Sequence, residues 1–223
     1  MCSRPSDRDG RHLCSDCLMR LPLVPQTGCC SVCGRPVEGF EGEYVCDECR
    51  KTKPAFDRAA SAMRFEGRAR QMLLDFKFNR HLWLRDDFAD LLEAAVRARF
   101  DVSSIDLVVP MPTTAAHRWD RGYNQCEPIA RLLARRICRR FDARSLVRVG
   151  KPLRQSSLSE DERRENAKGT FAARRPRMVR GRTVLVVDDI LTTGATMSDA
   201  ARALKEGGAS RVWAATLARS VRD

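Results

Sequence analysis

Apolar residues recur every three or four positions over several stretches of this chain, which is the spacing of an amphipathic helix. The stretches that show this spacing are 68–78, 82–99, 128–140 and 196–206. The last of them is followed by Gly207 and Gly208, and glycine commonly closes a helix. Ser159 and Glu162 fit a capping box, which predicts a short charged helix that ends before Gly169.

Three shorter apolar runs, at 105–109, 183–187 and 211–217, predict buried strands. Pro110 and Pro112 end the first run. Strands that alternate with helices predict an α/β fold with a mostly parallel sheet flanked by helices. Ligands of such sheets bind beyond the carboxyl ends of the strands.

The first 53 residues have a different character. They are punctuated by glycine and proline and lack long apolar runs, so we expect bound metal to hold them together. The composition becomes helix-rich and basic around residues 52–54. We therefore predict a cysteine-rich module at 1–53 and a second domain at 54–223.

Eight of the ten cysteines lie within residues 2–49, and six of them form CxxC pairs. In a cytosolic chain this clustering indicates metal binding rather than disulfides. Cys14 and Cys17 form one pair and need two further ligands, for which His12 is one candidate. Cys126 and Cys138, outside the module, are expected to be small apolar residues on a helix. Two pairs with twelve residues between them have the spacing of a structural zinc ribbon, and they are Cys30, Cys33, Cys46 and Cys49.

The charge distribution favours an anionic partner, and the alternative is an arginine-rich surface that only faces solvent. The net charge is +12, and because residues 1–50 carry −2, the positive charge lies after them. Nucleic acid, a phosphorylated metabolite or an acidic membrane surface would suit this balance. No stretch approaches the ~18 consecutive apolar residues of a membrane span. The polar start lacks the apolar centre of a secretory signal, so we expect a cytoplasmic protein.

The most informative segment is 184–197, where an apolar strand is followed by Asp188 and Asp189 and then by a loop that opens a helix. Backbone N–H groups and hydroxyls at a helix N-terminus suit a phosphate. The two carboxylates can accept hydrogen bonds from vicinal sugar hydroxyls or orient Mg²⁺. The alternative is an ordinary acidic turn with a threonine cap, which the contiguous order of these features disfavours. The loop residues are Thr192, Thr193, Gly194, Ala195 and Thr196.

This segment resembles the phosphoribosyl-pyrophosphate (PRPP) loop of type I phosphoribosyltransferases. Over essentially its full length the chain is similar to the ComF/ComFC family, in which a double zinc ribbon precedes such a domain. The resemblance also rests on the segments 55–57, 65–67, 74–78, 109–113 and 118–125, and on Gln155, Leu158, Arg163, Asn166, Gly169 and Phe171.

The resemblance implies a phosphoribosyltransferase-like protein that binds PRPP and Mg²⁺ and is linked to DNA uptake in natural competence. In the family, the acid pair holds the ribose hydroxyls and the loop after it holds the 5′-phosphate. The pyrophosphate loop would contain Met111, Pro112 and Thr113. Cys2 lies where the family has a cysteine, and it would join Cys14 and Cys17 at a second zinc site.

Basic residues are candidates for the phosphates. Arg118 and Arg121 suit pyrophosphate because a guanidinium binds phosphate oxygens bidentately, and the alternative for each is a solvated loop charge. We expect Arg121 to act in catalysis together with Asp188 and Asp189. Lys77 lies on an apolar helical face and either reaches the phosphates or extends to solvent. The acceptor of the ribosyl group stays open.

Two other functions also stay open. One is a regulator that binds PRPP or a phosphorylated nucleotide without turnover. The other is a protein that handles single-stranded DNA, alone or with competence proteins, through the basic stretch 174–182 and one arginine-rich helix. The arginines of that predicted helix are Arg131, Arg135, Arg136, Arg139 and Arg140.

Overall fold

The computed structural model describes residues 6–37, 42, 44–114, 119, 122–149 and 169–220, and these contain two sheets. The strands are β1 (Arg58–Arg64), β2 (Leu107–Pro110), β3 (Arg140–Phe141), β4 (Leu146–Arg148), β5 (Phe171–Ala173), β6 (Thr183–Leu191) and β7 (Arg211–Arg219). The helices are α1 (Ser15–Met19), α2 (Asp47–Thr52), α3 (Gly67–Phe78), α4 (Arg85–Arg99), α5 (Cys126–Arg136), α6 (Pro176–Val179) and α7 (Ala195–Glu206).

Five strands form the central sheet in the order β1-β7-β6-β2-β3, and each neighbouring pair is parallel. The second sheet is the antiparallel pair of β4 and β5. Pro110 at the end of β2 lies opposite Val187 of β6, so the carboxyl ends of these two central strands meet. The predicted parallel sheet of an α/β fold is therefore confirmed.

Helices cover both faces of the sheet. Leu185 and Val187 of β6 belong to a buried cluster with residues of α3, α4 and α5. Val184 and Val186 alternate with them and belong to a second buried cluster with residues of α7, β4 and β5. This alternation is the two-residue period of a strand that is buried on both faces.

The cysteine-rich segment packs along the β1 edge of the sheet. The N–H of Val24 donates to the carbonyl of Ala62 at 3.0 Å, which extends the hydrogen bonding of β1 outward. The backbone N–H groups of His12 and Leu13 both donate to the buried carboxylate of Asp87 on α4. The segment is thus held to the transferase-like part of the chain by backbone and polar contacts.

Several elements differ from the sequence predictions. Strand β1 was not predicted, because alanine has a low strand propensity; here small side chains such as Ala59 and Ala60 suit a strand buried between two layers. Strands β4 and β5 were also missed, since each has only three residues. The predicted helix at 128–140 ends at Arg136, because Cys138 adopts a left-handed conformation with φ 54°. Arg139 and Arg140 therefore do not lie on that helix.

The remaining predicted helices and strands are found with boundaries that differ by a few residues. The short helix predicted near Ser159 falls outside the described residues. None of the helices in the described part of the chain combines the length and the hydropathy that a membrane crossing requires.

Candidate functional site

The two adjacent carboxylates lie at the carboxyl end of the central sheet. Asp188 and Asp189 are the sixth and seventh residues of β6, so this strand continues through the acid pair instead of ending before it. The N–H of Met111, the residue after β2, donates to the carbonyl of Val187 at 2.8 Å. The chain after β2 and the acid pair of β6 are thereby brought side by side.

Asp189 is buried, and two side chains from other elements bind it. Lys77 Nζ, from the last turn of α3, lies 2.8 Å from Asp189 Oδ2. Gln125 Nε2, just before α5, donates to the same oxygen at 3.0 Å. A ligand hydroxyl that binds this carboxylate would therefore share it with an ammonium group and an amide.

Asp188 has a different environment. Its Oδ1 accepts the N–H of Asp189 at 2.8 Å, and the Cys126 thiol lies 3.5 Å from the same oxygen. Burial, with the negative charge of Asp189 adding to it, raises the pKa of Asp188 to about 7. Burial also raises the pKa of the Cys126 thiol well above its ordinary value, so the thiol keeps the proton that it donates.

The loop after β6 is short and leads directly into α7. Gly194 has φ 81°, a left-handed conformation that glycine adopts without strain, and it precedes the first residue of α7. A Cβ at this position would lie 3.4 Å from Cε1 of Phe56. Thr192, Thr193 and Thr196 are exposed, and the N–H of Ala195, the first residue of α7, donates to Thr193 Oγ1 at 3.3 Å. An N-terminus of this kind suits a phosphate.

The chain after β2 forms the second loop at this edge. Met111 is buried, and its carbonyl accepts the Asn124 side-chain amide at 2.9 Å. Pro112 and Thr113 are partly exposed next to it. The structure thus brings together Met111, Lys77 and the acid pair, with the β6–α7 loop following the pair in the chain.

A second constellation lies in the cysteine-rich segment. One sulfur from each of Cys30, Cys33, Cys46 and Cys49 lies within 4.8 Å of the other three. Cys33 and Cys46 are separated by 3.7 Å, and the N–H of Cys46 donates to Cys30 Sγ at 3.3 Å. Four buried thiols at this separation fit the donor set of a structural zinc ion.

Comparisons with known proteins agree with these observations. The family model described as "Phosphoribosyl transferase domain" matches residues 124–222. Competence protein F of Haemophilus influenzae is 29% identical over 219 residues, which cover 93% of this chain and 90% of that protein. DNA utilization protein YhgH of Escherichia coli K12 is 28% identical over 220 residues, which cover 92% and 96% of the two chains. Over most of its length the chain is therefore similar to competence protein F, and its residues 124–222 match a phosphoribosyltransferase domain.

Among solved structures, the chain is similar to one described as "Structure of the allosteric regulatory enzyme of purine biosynthesis". The identity is 20%, the TM-score is 0.39, and the match covers 59% of this chain and 25% of that one.

Several predicted site residues lie outside the described residues. Arg118, Arg121 and Cys2 are among them, so the functions assigned to them stay predictions. The same holds for Gln155, Leu158, Arg163 and Asn166.

Cys14 and Cys17 are buried at the start of α1. Within the described ranges, they belong to no group of three or more side chains able to ligate one metal ion. His12 instead packs against the ring of Trp83, with ring centroids 4.9 Å apart. A second zinc site would therefore need ligands from residues that the structure does not describe.

Sequence reasoning missed two contacts of the acid pair, those of Gln125 and Cys126. Cys126 was expected to be an apolar filler; it is buried, but its thiol also contacts Asp188. Cys138 was expected on a helix and is exposed in the turn after α5. Asn124 and Gln125 lie in the segment 118–125 that carries the family resemblance, so the motif was visible although the contacts were not.

The arginine-rich helix is less available to an anion than predicted. Arg131 lies 2.9 Å from Glu127 on the same helix. Arg136 lies 2.7 Å from Asp90 on α4. Of the three arginines that lie on α5, these two already pair with carboxylates.

Proposed function

We propose that this chain is a member of the ComF family and binds PRPP together with Mg²⁺ at the carboxyl ends of β2 and β6. The observation that carries the proposal is that the acid pair, a short loop and a helix N-terminus follow one another at the end of β6. Asp188 and Asp189 lie near the end of β6, and only two residues separate Leu191, its last residue, from Gly194 and the N-terminus of α7. A phosphorylated ribose likewise presents vicinal hydroxyls and a phosphate that only a few bonds separate.

In this proposal each part of the site has one task. The acid pair accepts hydrogen bonds from the ribose hydroxyls, and the exposed loop 192–196 donates to the 5′-phosphate. Met111, Pro112 and Thr113 form the pyrophosphate loop, with Arg118 and Arg121 as its cationic partners. Lys77 holds Asp189 in place from α3.

We further propose that the chain transfers the ribosyl group to an acceptor. The bond between C1 of the ribose and the pyrophosphate oxygen breaks, the pyrophosphate leaves with the electron pair, and a bond forms to the acceptor nucleophile. Bound Mg²⁺ would neutralise charge on the departing pyrophosphate. Asp188, Asp189 and Arg121 would stabilise the positive ribosyl group and the leaving group in the transition state.

Structural zinc is part of the proposal. Cys30, Cys33, Cys46 and Cys49 would hold one ion and stabilise the module at 1–53, while Cys2, Cys14 and Cys17 would contribute to a second. We place the activity in the cytoplasm and link it to DNA uptake in natural competence; the Haemophilus relative carries the name competence protein F.

Calorimetric titration of PRPP, with and without Mg²⁺, tests the binding step. We expect Mg²⁺-dependent binding that is lost in the Asp188→Asn/Asp189→Asn variant. The control is Asp106→Asn, because Asp106 accepts the N–H of Thr183 at the opposite end of the same two strands. Absence of binding to the wild-type protein would refute the proposal. Pyrophosphate release with turnover would then separate a transferase from a regulator that only binds PRPP.

Direct binding of single-stranded DNA is a second candidate, favoured by exposed arginines around α6. Arg174, Arg177 and Arg180 are all exposed there. We expect Arg177→Glu/Arg180→Glu to weaken binding and to lower the salt slope by about 2. Arg50→Glu/Lys51→Glu is the control, because it makes the same change of net charge on α2. Equal effects of the two double variants would rule out this surface.

A further inference from the structure

Arg219, the last residue of β7, connects the cysteine cluster to the central sheet. Its side chain is 3% exposed. Nη1 donates to the carbonyl of Cys33 at 2.5 Å, and Nη2 lies 3.3 Å from Cys33 Sγ. Within the described residues no carboxylate pairs with it, so its charge faces the sulfur cluster. A buried guanidinium without such a contact would be costly.

The backbone of Arg219 pairs with the end of β6. In the parallel register of β6 and β7, Arg219 lies opposite Leu191. The next residue, Ser220, donates its N–H to the carbonyl of Leu191 at 3.0 Å. Leu191 is the last residue of β6, immediately before Thr192, so this hydrogen bond fixes the point from which the β6–α7 loop starts.

A second contact reaches the same loop from the side of the cysteine cluster. Phe56 is buried in one cluster with the four cysteines. Its ring lies next to Gly194, where an added Cβ would be 3.4 Å from Phe56 Cε1. The N–H of Ala55 donates to Ser198 Oγ in the first turn of α7, at 2.9 Å. The loop is therefore held at its start through Arg219 and at its end through residues 55–56.

We infer that Arg219 is a positioning residue through which metal in the cysteine cluster fixes the conformation of the loop 192–194. The inference rests on the zinc binding proposed above. A zinc ion with four thiolates carries a net charge of about −2, which a buried guanidinium at Cys33 partly offsets while its hydrogen bonds orient the ligand. When the metal leaves, the segment around Cys33 loses its main cohesion, and Arg219 loses its partner.

The coupling between zinc and the loop is reciprocal. Metal that orders the loop lowers the cost of ordering it around a phosphate, so a bound phosphate must in turn stabilise the metal. PRPP would then slow the loss of zinc, although the two ligands do not touch.

The chain supplies a matched control for Arg219. Arg99 Nη2 donates to the carbonyl of Cys30 at 2.6 Å, and Nη1 donates to that of Gln26 at 3.3 Å. Arg99 thus supports the same cluster, but it is the last residue of α4 and its backbone lies in no strand next to Leu191. Arg219→Gln and Arg99→Gln remove comparable contacts with the cluster and differ in their relation to the loop.

The direct readout is hydrogen–deuterium exchange of the amides in 191–198, measured by mass spectrometry on zinc-loaded full-length protein. We expect about tenfold faster exchange in Arg219→Gln, for the loss of a charge-assisted contact, and wild-type exchange in Arg99→Gln. Both variants should bind zinc about tenfold more weakly, as measured by competition with a chelator. Equal loop exchange in the two variants would overturn the inference.

The wild-type protein provides a test that needs no substitution. Removal of zinc by a chelator should accelerate exchange of 191–198 as much as Arg219→Gln does, and unchanged exchange would overturn the inference even where that variant fails to fold. With PRPP and Mg²⁺ present, release of zinc should slow. If calorimetry shows that PRPP does not bind, the proposed function fails, while the exchange measurements still decide the function of Arg219.

Discussion

Lys77 and Asp189 form an ion pair that joins α3 to the central strand, with Nζ 2.8 Å from Oδ2. The lysine was expected to reach a phosphate or to extend into solvent, and it instead neutralises one member of the acid pair. Both side chains are largely buried, at 18% and 10% exposure, so water screens their interaction poorly. The candidate ribose site is thus anchored to a helix that lies outside the matched transferase segment 124–222.

Replacement of the lysine should destabilise the protein through Asp189. Among the described residues, the carboxylate in Lys77→Met keeps the Gln125 amide as its side-chain partner, and we expect a loss of about 2 kcal/mol in the free energy of unfolding. Urea denaturation measures it. The Lys77→Met/Asp189→Asn double variant should lose less than the sum of the two single variants, because the unpaired charge is gone. Additive losses would mean that the two groups do not interact.

The raised pKa of Asp188 predicts a specific dependence of stability on pH. The folded state keeps a proton on Asp188 up to about pH 7, whereas the unfolded state releases it near pH 4. The folded state therefore binds more protons in this window, and the contribution of Asp188 to the free energy of unfolding falls as pH rises from about 4 to 7. At pH 8 the penalty is a few kcal/mol.

Urea denaturation of Asp188→Asn between pH 4 and 8 measures that contribution as a difference from wild type. We expect the two proteins to be similarly stable at pH 4 and the variant to be more stable at pH 8. The comparison cancels other groups, such as Asp90, whose pKa is lowered mainly by Arg11 and Arg136 against the effect of burial. Asp106→Asn, exposed at the other end of the sheet, should leave the pH profile unchanged. A variant that follows wild type at every pH would contradict the raised pKa.

The sequence predicted the parts of this fold that local pattern controls. Strands β2, β6 and β7 are runs of β-branched and apolar residues, and α3, α4 and α7 have helical periodicity, so each was found. Strand β1 could not be found this way, because its alanines become favourable only when two layers of side chains enclose them. The end of α5 was missed for a similar reason, since a cysteine at φ 54° leaves no signal in composition.

In the candidate site, too, local sequence predicts some features and only the three-dimensional structure shows the others. Asp188, Asp189 and the loop to Gly194 are contiguous, and a contiguous motif can be recognised without a structure. The bonds from Gln125 and Cys126 to the acid pair join residues more than 60 positions apart, and no local pattern reports them. The contact between Arg219 and Cys33 joins residues 186 positions apart. Nothing near Arg219 in the sequence distinguishes it from the other arginines of this basic chain.

The conformation of Gly194 predicts a selective effect of alanine at that position. Gly194→Ala places a Cβ at φ 81° and 3.4 Å from the Phe56 ring, so we expect about 1 kcal/mol of destabilisation and at least tenfold weaker PRPP binding. Gly181→Ala is the control, because Gly181 has φ 69° and open space around it. It should lose similar stability and keep its PRPP affinity. Equal affinities for the two variants, measured by calorimetry, would remove the loop from the binding site.

The cysteine cluster predicts which thiols hold zinc. Cys49→Ser should lose one zinc per chain and fall in thermal stability, because Cys49 is one of four sulfurs within 4.8 Å of each other. Cys29→Ser is a close control: Cys29 is buried and next to Cys30 in sequence, but it lies outside that group. It should keep its zinc. Metal analysis of the purified variants measures the zinc content of both.

A Cys14→Ser/Cys17→Ser variant tests for the second zinc site. Loss of one equivalent of zinc relative to wild type would establish that site. An unchanged zinc content would leave the cluster of Cys30, Cys33, Cys46 and Cys49 as the sole zinc site of the module.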